Sequence, residues 1–244
     1  MQCARKYIVD YPEIPSIRLP FLFQNWCYLT FLHWRASVSA VSGLLPGYLT
    51  VDSFDGSAWV GITPFLLSGL RPPFGPALWW ISEFPETNCR TYVRGPDGRA
   101  GIWFFSLDAA RWAAVVGARL GYGLPYAWSR MTFSLENRRV RYESRRICCA
   151  GAATSIEVEA GDSIEPSEIE VFLTARFRLF STIWGQLACA EVEHEPWPLH
   201  RASLLHCEQT LTQAAGIQVE SAEPLLHFSP GVKVRVGRPK LVSP

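Results

Sequence analysis

Lysine is nearly absent from this chain. Of 23 basic side chains only Lys6, Lys233 and Lys240 are lysines, and all three lie near the ends. The body therefore offers no internal amine for Schiff-base chemistry. Net charge is as scarce: 23 basic against 22 acidic residues leave +1, with the arginines dispersed. Such a chain has no field to attract a phosphate backbone, so no nucleic acid is expected as a partner. No apolar run reaches the roughly 20 residues that cross a bilayer. The longest candidate, Leu19 to Leu32, is interrupted by Gln24 and Asn25 and followed by His33, and the first 20 residues carry Asp10, Glu13 and three prolines where a signal peptide needs a continuous apolar core. A disulfide framework is missing too, since the seven cysteines are odd in number, lack C-x-x-C and include the adjacent Cys148 and Cys149. The expectation is a cytoplasmic protein with no membrane association.

Several chemical signatures are also missing. Gly121-Tyr122-Gly123 follows a helical stretch instead of opening one, the wrong polarity for a dinucleotide fingerprint. No G-x-S-x-G elbow marks a nucleophilic serine. His194-Glu195 begins like a zinc-protease motif, but position 198 is proline, Pro196 forbids the helix, and His200 and His206 are too loosely spaced to serve. No metal and no cofactor are expected.

What is present is core material: 48% hydrophobic against 18% charged residues predicts a packed globule. Residues 1–20 read as an N-terminal arm and 21–244 as one domain. Tyr28 to Trp34 reads as a strand buried on both faces, and Ser37 caps a short helix stopped by Pro46-Gly47. Asp55-Gly56 signals a hairpin between YLTVDSF and SAWVGITPFLL, and Gly95-Pro96-Asp97-Gly98 a second one spanning Phe84 to Asp108. Asp108 is placed to cap a helix ending near Gly121 or Gly123, with Trp112, Val115, Val116 and Arg119 on its core stripe. A further hairpin turns at Glu136-Asn137, Cys148 to Pro166 reads as a variable loop or weak hairpin, and Ser167-x-x-Glu170 makes a capping box for a helix to about Phe177. Leu187 to Glu195 alternates as a strand, Glu208 to Ala215 reads as a short helix, and Val232 to Val236 as a last strand. Strands outnumber helices and the turns are tight, so the class is α+β: a largely antiparallel sheet able to close into a barrel, with a few short flanking helices.

The stretch around which these elements are organised is FPETNCRTYV. Glu86, Asn88, Arg90 and Tyr92 alternate and share one strand face, while Cys89 points the other way as core filling. A carboxylate, an amide and a guanidinium on one face amid apolar sequence predict a polar cluster at a cavity. Arg119, on the inward stripe of its helix, either meets an anion or snorkels to the rim. His194 points to the core, as a satisfied core histidine or as a catalytic one. Trp79 and Trp80 lie in a Pro-rich loop that either packs on the body or covers the cavity.

Trp26 with LTFLHW, then LLPGY, FDGSAWVGITPF, FPETNCRTYV, GIWFFSLDA, ARLGYGLPY and HEPWPL, resemble in order and spacing the YqjF-like uncharacterised bacterial proteins, over roughly Trp26 to Val236. The resemblance implies membership of the acetoacetate decarboxylase-like superfamily, whose antiparallel β-structure wraps a central cavity. In the decarboxylase a carboxylate strand precedes a Gly-Arg-Glu helix end and a Gly-aromatic-Pro-Lys-Lys segment whose first lysine forms the Schiff base. Glu86 resembles that carboxylate and Arg119 that arginine, with Leu120 where a glutamate is expected. Gly123-Leu124-Pro125-Tyr126-Ala127 resembles the lysine segment with Tyr126 and Ala127 in the lysine places. Decarboxylation through an enamine is thereby excluded, unless a terminal lysine folds back into the cavity.

The resulting expectation is a cofactor-free site for a small polar or anionic molecule, acting as a lyase, isomerase or hydrolase on a carbonyl or carboxylate compound. Glu86 would be the acid/base, Arg119 its partner or anion clamp, and Tyr126 a hydrogen-bond donor. Asn88, Arg90, His194, Trp79 and Trp80 would contact the ligand. Rival readings are a ligand-binding or sensing module without turnover, and an interaction protein in which Glu86 and Arg119 form a structural ion pair. The sequence leaves room for a homo-oligomer.

Overall fold

The computed structural model describes residues 11–77, 81–147 and 151–242. Its elements in chain order are β1 (Leu22–Ala36), α1 (Val38–Ser42), β2 (Thr50–Val51), β3 (Ala58–Arg71), β4 (Phe84–Arg94), β5 (Ala100–Ala109), α2 (Trp112–Tyr122), β6 (Tyr126–Glu136), β7 (Arg139–Arg146), β8 (Ala153–Ser163), α3 (Glu168–Thr174), β9 (Arg178–Ile183), β10 (Gln186–His194), β11 (His200–Gln209), α4 (Leu211–Ala214), β12 (Leu225–Val236) and β13 (Lys240–Leu241).

The sheet forms two rings with a common wall. Nine strands run in the order β5-β6-β7-β8-β11-β12-β1-β3-β4 and close because β4 also pairs with β5. On the other side β9 pairs in parallel with β5, and β10 joins β9 to β12, which encloses a second, smaller space. Strands β1, β3, β4, β5 and β12 therefore border both. A strand buried on two faces cannot show hydrophobic alternation, and β4 is buried at nearly every position. Its odd-numbered side, including Cys89, meets Leu32, Ile62, Tyr142 and Ile156 inside the nine-strand ring; its even-numbered side faces the smaller space. The antiparallel barrel with short helices is the architecture expected from the sequence.

Turn chemistry sets the hairpins. Gly98 at φ 73° closes the β4–β5 turn, and Trp184 and Gly185 at φ 50° and 76° form the tight β9–β10 turn. The Ser167 capping box is formed, with Glu170 accepting from the Ser167 amide.

Other expectations are corrected. Asp55 and Gly56 do turn the chain at φ 54° and 75°, but the hairpin there is a single bridge, Phe54 to Ser57. β2 pairs instead with the end of β4; the Asp52 amide continues that pairing by donating to the Tyr92 carbonyl at 3.0 Å, while its carboxylate binds Arg94 and Arg176. Asp108 does not cap α2: it sits inside β5, fully buried, with its carboxylate on Arg146 and Ser144. The α2 core stripe consists of Val115 and Tyr122, while Trp112 and Arg119 are exposed. The stretch read as a variable loop or weak hairpin contains β8, one long strand which β7 and β11 hold on both sides; α3 ends at Thr174 and the last short helix spans only Leu211–Ala214. β9 and β11 were not anticipated. Of the arm, residues 11–20 carry no regular structure, and the Ile17 amide donates to Glu193 Oε2 at 2.6 Å.

Candidate functional site

The smaller space is a cavity of about 100 Å³. One water needs ~10–15 Å³ of such space, so a molecule of several non-hydrogen atoms fits. Its walls are largely apolar, with Trp26, Phe65, Leu107 and Val192 among them, and Glu86, Asn88 and Arg90 project into it from β4.

Glu86 is 3% exposed. Burial pushes its carboxyl up to about 8, helped by the negative charge of Asp108 and opposed by a hydrogen bond from Tyr126. That bond runs from the Tyr126 hydroxyl to Glu86 Oε2 at 3.0 Å. Tyr126 opens β6, and three contacts fix it there. The α2 helix ends on Gly123 in the left-handed region, at φ 63°; the Leu107 amide donates to the Pro125 carbonyl at 3.1 Å; and Arg119 Nε donates to the Tyr126 carbonyl at 2.7 Å. Burial and the adjacent Glu86 hold the Tyr126 phenol well above its ordinary value, so it remains a donor.

A Cβ added at Gly123 would fall inside contact distance of the Thr182 carbonyl oxygen, where α2 docks on β9. Gly123→Ala combines that collision with a positive φ. The expected loss is about 2–4 kcal/mol in urea unfolding, and full stability in this variant would refute the close docking of α2 on β9.

Asn88 Oδ1 accepts from Thr63 Oγ1 at 2.7 Å, which orients its amide. Arg90 Nη2 reaches the Tyr92 hydroxyl at 3.4 Å, and that hydroxyl lies 2.5 Å from His33 Nε2. Burial holds His33 well below its ordinary value and raises Tyr92, so a neutral phenol and a neutral imidazole share this hydrogen bond. Arg176 also lines the cavity, but Asp52 Oδ2 neutralises its Nη1 at 2.5 Å. His194 is buried, its Nδ1 lies 2.7 Å from the Glu195 carbonyl, and its ring meets Phe177 and Trp197 at 4.8 and 5.1 Å. Burial lowers it, so it lines the wall as a neutral aromatic.

Of the residues singled out from sequence, the structure thus gathers Glu86, Tyr126, Asn88, Arg90 and His194. Arg119 is not among them: its guanidinium is at the surface and binds the Tyr126 backbone, so the Glu86–Arg119 ion pair does not form. Of the α2 stripe expected to turn inward, Val115 does so, while Trp112 and Arg119 turn outward. Trp79 and Trp80 lie outside the described residues. Arg176, Thr63, His33 and Trp197 escaped notice, because Asp52 and Arg176 are 124 residues apart and no local pattern joins them. Lys233 and Lys240 are exposed and away from the cavity.

No helix among the described residues is long and apolar enough to cross a membrane. A family model, DUF2071, described as an uncharacterized conserved protein, matches residues 23–233. Uncharacterized protein YqjF of Bacillus subtilis (strain 168) is 35% identical over 209 residues, covering 84% of this chain and 86% of that protein. Among solved structures, the enduracididine biosynthesis enzyme MppR complexed with pyruvate superposes with a TM-score of 0.65 at 13% identity, over 93% of each chain. Acetoacetate decarboxylase from Legionella pneumophila superposes with a TM-score of 0.64 at 14% identity, over 97% of this chain and 95% of that one. An acetoacetate decarboxylase-like enzyme from Sphingomonas wittichii RW1 gives 0.64 at 14%, over 91% and 93%. At these identities the likeness is one of fold.

Proposed function

This chain belongs to the uncharacterised DUF2071 family, whose members include the YqjF-like proteins, and from that premise we propose that it catalyses proton transfer on a small carbonyl compound, as a lyase or isomerase without a Schiff-base lysine. The observation that carries this reading is Glu86: a carboxyl buried in a cavity, raised to about 8, and held by the Tyr126 phenol at 3.0 Å. An acid with that value is protonated near neutral pH and still close enough to it to release the proton. Glu86 delivers its proton to the carbonyl oxygen, and its carboxylate then takes a proton from the adjacent carbon as the C–H pair becomes the C=C bond of the enol; the reverse steps return a solvent-exchanged proton to that carbon. The carboxylate left behind is stabilised by the hydrogen bond from Tyr126, which strengthens as negative charge forms on its acceptor. A proton taken back from the substrate or from water resets the site. The apolar wall keeps that charge change in a medium where one hydrogen bond counts for more than in water. The pyruvate in the related MppR fold supports a ligand of this size and type.

Deuterium incorporation into small ketones and keto acids, followed by NMR with purified protein, tests the reading. The rate is expected to fall above pH about 8, as Glu86 ionises. Tyr126→Phe removes a bond that favours the charged carboxylate, so it should raise the Glu86 value further, move this alkaline limb to higher pH and slow exchange by about 10–100-fold. Saturable ligand binding with no exchange under any condition would leave a sensing module in place of the enzyme.

A further inference from the structure

Among the described residues, one buried cation at this cavity has no neutralising partner. Arg90 is 6% exposed and its Nε has no acceptor. No described carboxylate lies within ion-pair distance of it, whereas Arg176 is paired with Asp52 and Arg146 with Asp108. Its guanidinium rests against the rings of Phe31 and Tyr92, 5.4 and 5.8 Å from their centres. An isolated buried charge costs several kcal/mol, and a hydrogen-bonded counter-charge offsets that cost. The fold thus maintains an unfavourable feature at a cavity wall.

The space beside it narrows what could supply the counter-charge. About 100 Å³ admits a molecule with about three to five carbons. A single unpaired guanidinium calls for one negative charge, and its planar fork matches a carboxylate. Glu86 lies on the same face of β4, roughly 13 Å away between Cα atoms. A second negative charge on Glu86 would therefore oppose the ligand. The ionisable groups around Glu86 come from every neighbouring element: Tyr126 on β6, Asp108 on β5, Tyr122 on α2, His194 on β10, Arg176 between α3 and β9, Arg178 on β9, and Arg90 itself. Burial keeps His194 neutral and the two tyrosines protonated.

We infer that the cavity takes up a small monocarboxylate together with one proton, the carboxylate seated on the Arg90 guanidinium and the proton held on Glu86. This rests on the reading of the cavity as a small-molecule site, but not on any turnover there. The charge balance is closed: below the Glu86 value the proton is already present and only the anion enters, while above it ionised Glu86 must gain a proton as the anion binds. Uptake therefore grows from near zero to as much as one proton per site as the solution becomes alkaline.

Titration calorimetry of the full chain with sodium butyrate tests this, run across pH in two buffers of different ionisation enthalpy. Affinity is expected to be level between pH about 6 and 7, where butyrate is ionised, and to fall about tenfold per pH unit above pH 8, with proton uptake appearing over the same range. Glu86→Gln should bind as tightly as the wild type does near neutral pH, keep that affinity at alkaline pH, and take up no proton. Arg90→Gln should weaken butyrate at least tenfold, and Arg90→Lys should restore part of the loss, whereas binding of uncharged butyramide should not depend on position 90. A purely structural Arg90 would lower the melting temperature of the ligand-free protein when replaced; we expect Arg90→Gln to melt at or above wild type. Absence of saturable butyrate binding, unchanged affinity in Arg90→Gln, or binding without proton uptake at alkaline pH would each overturn the inference. Exchange of neutral ketones could survive that outcome, and butyrate binding could survive a failure to find exchange, so the two readings fall separately.

Discussion

Glu86→Gln is expected to lose catalysis and gain stability together. Removing the proton donor should slow exchange by about 10²–10⁴-fold, with the circular dichroism of the wild type retained. The stability gain follows from linkage. Unfolded, the Glu86 carboxyl titrates near its ordinary 4.5; folded, it titrates near 8. Between those values the native state holds a proton that the unfolded chain has released, so wild-type stability falls as pH rises through the window and levels off above it. Glutamine carries no such proton. Each tenfold difference in proton affinity between the folded and unfolded chain corresponds to about 1.4 kcal/mol, so above pH 8 the variant should be more stable by roughly 3–5 kcal/mol, with little difference below pH 4.5. Urea denaturation at pH 4, 6 and 9 reads this directly. A variant whose stability tracks wild type at all three would mean that the carboxyl is not buried as described, and the acid role would go with it.

The opposite sign is expected at Asp52. This carboxylate is buried between Arg176 at 2.5 Å and Arg94 at 2.9 Å. Arg176 is 7% exposed and lies over the rings of Phe172 and Tyr92. Asp52→Asn leaves its guanidinium in the interior with no counter-charge, a change that costs about 3–5 kcal/mol when one partner of a buried pair is deleted. The exposed half of the cluster, Arg94, should matter far less, because solvent already screens it. Arg176 also forms part of the cavity wall, so ligand affinity should weaken in Asp52→Asn even where the protein remains folded. Thermal melts of Asp52→Asn, Arg94→Gln and Arg90→Gln side by side separate the cases. A strong loss, a small loss and no loss, in that order, distinguish a structural buried cation from one held for a ligand. Equal losses at positions 52 and 90 would remove the distinction.

Much of the barrel was legible because its signals are local. The Gly95-to-Gly98 turn, the Ser167 capping box and the alternation of Leu187 to Glu195 each depend on neighbours within a few residues, and each folds as its pattern requires. The elements that escaped are those whose identity rests on partners far along the chain. β8 and β11 are held by each other and by their neighbours, and β9 is a short parallel addition to β5. Two errors share one cause. Asp108 and Arg119 have residue types suited to a helix cap and an inward anion clamp, yet Asp108 is claimed by Arg146, 38 residues away, and the seating of α2 turns Arg119 outward.

The sequence by itself determined that Glu86, Asn88 and Arg90 share one side of a strand, since alternation in a strand is a property of the backbone. It also determined that no lysine lies in the body of the chain between Lys6 and Lys233. Tertiary structure alone decided which charges are neutralised. Asp52 reaches Arg176, Asp108 reaches Arg146 and Tyr126 reaches Glu86, while Arg90 is left without a carboxylate among the described residues. The physical reason is that desolvation and charge pairing depend on distance in space and on exclusion of water, and neither is encoded in the spacing of residues along a single strand.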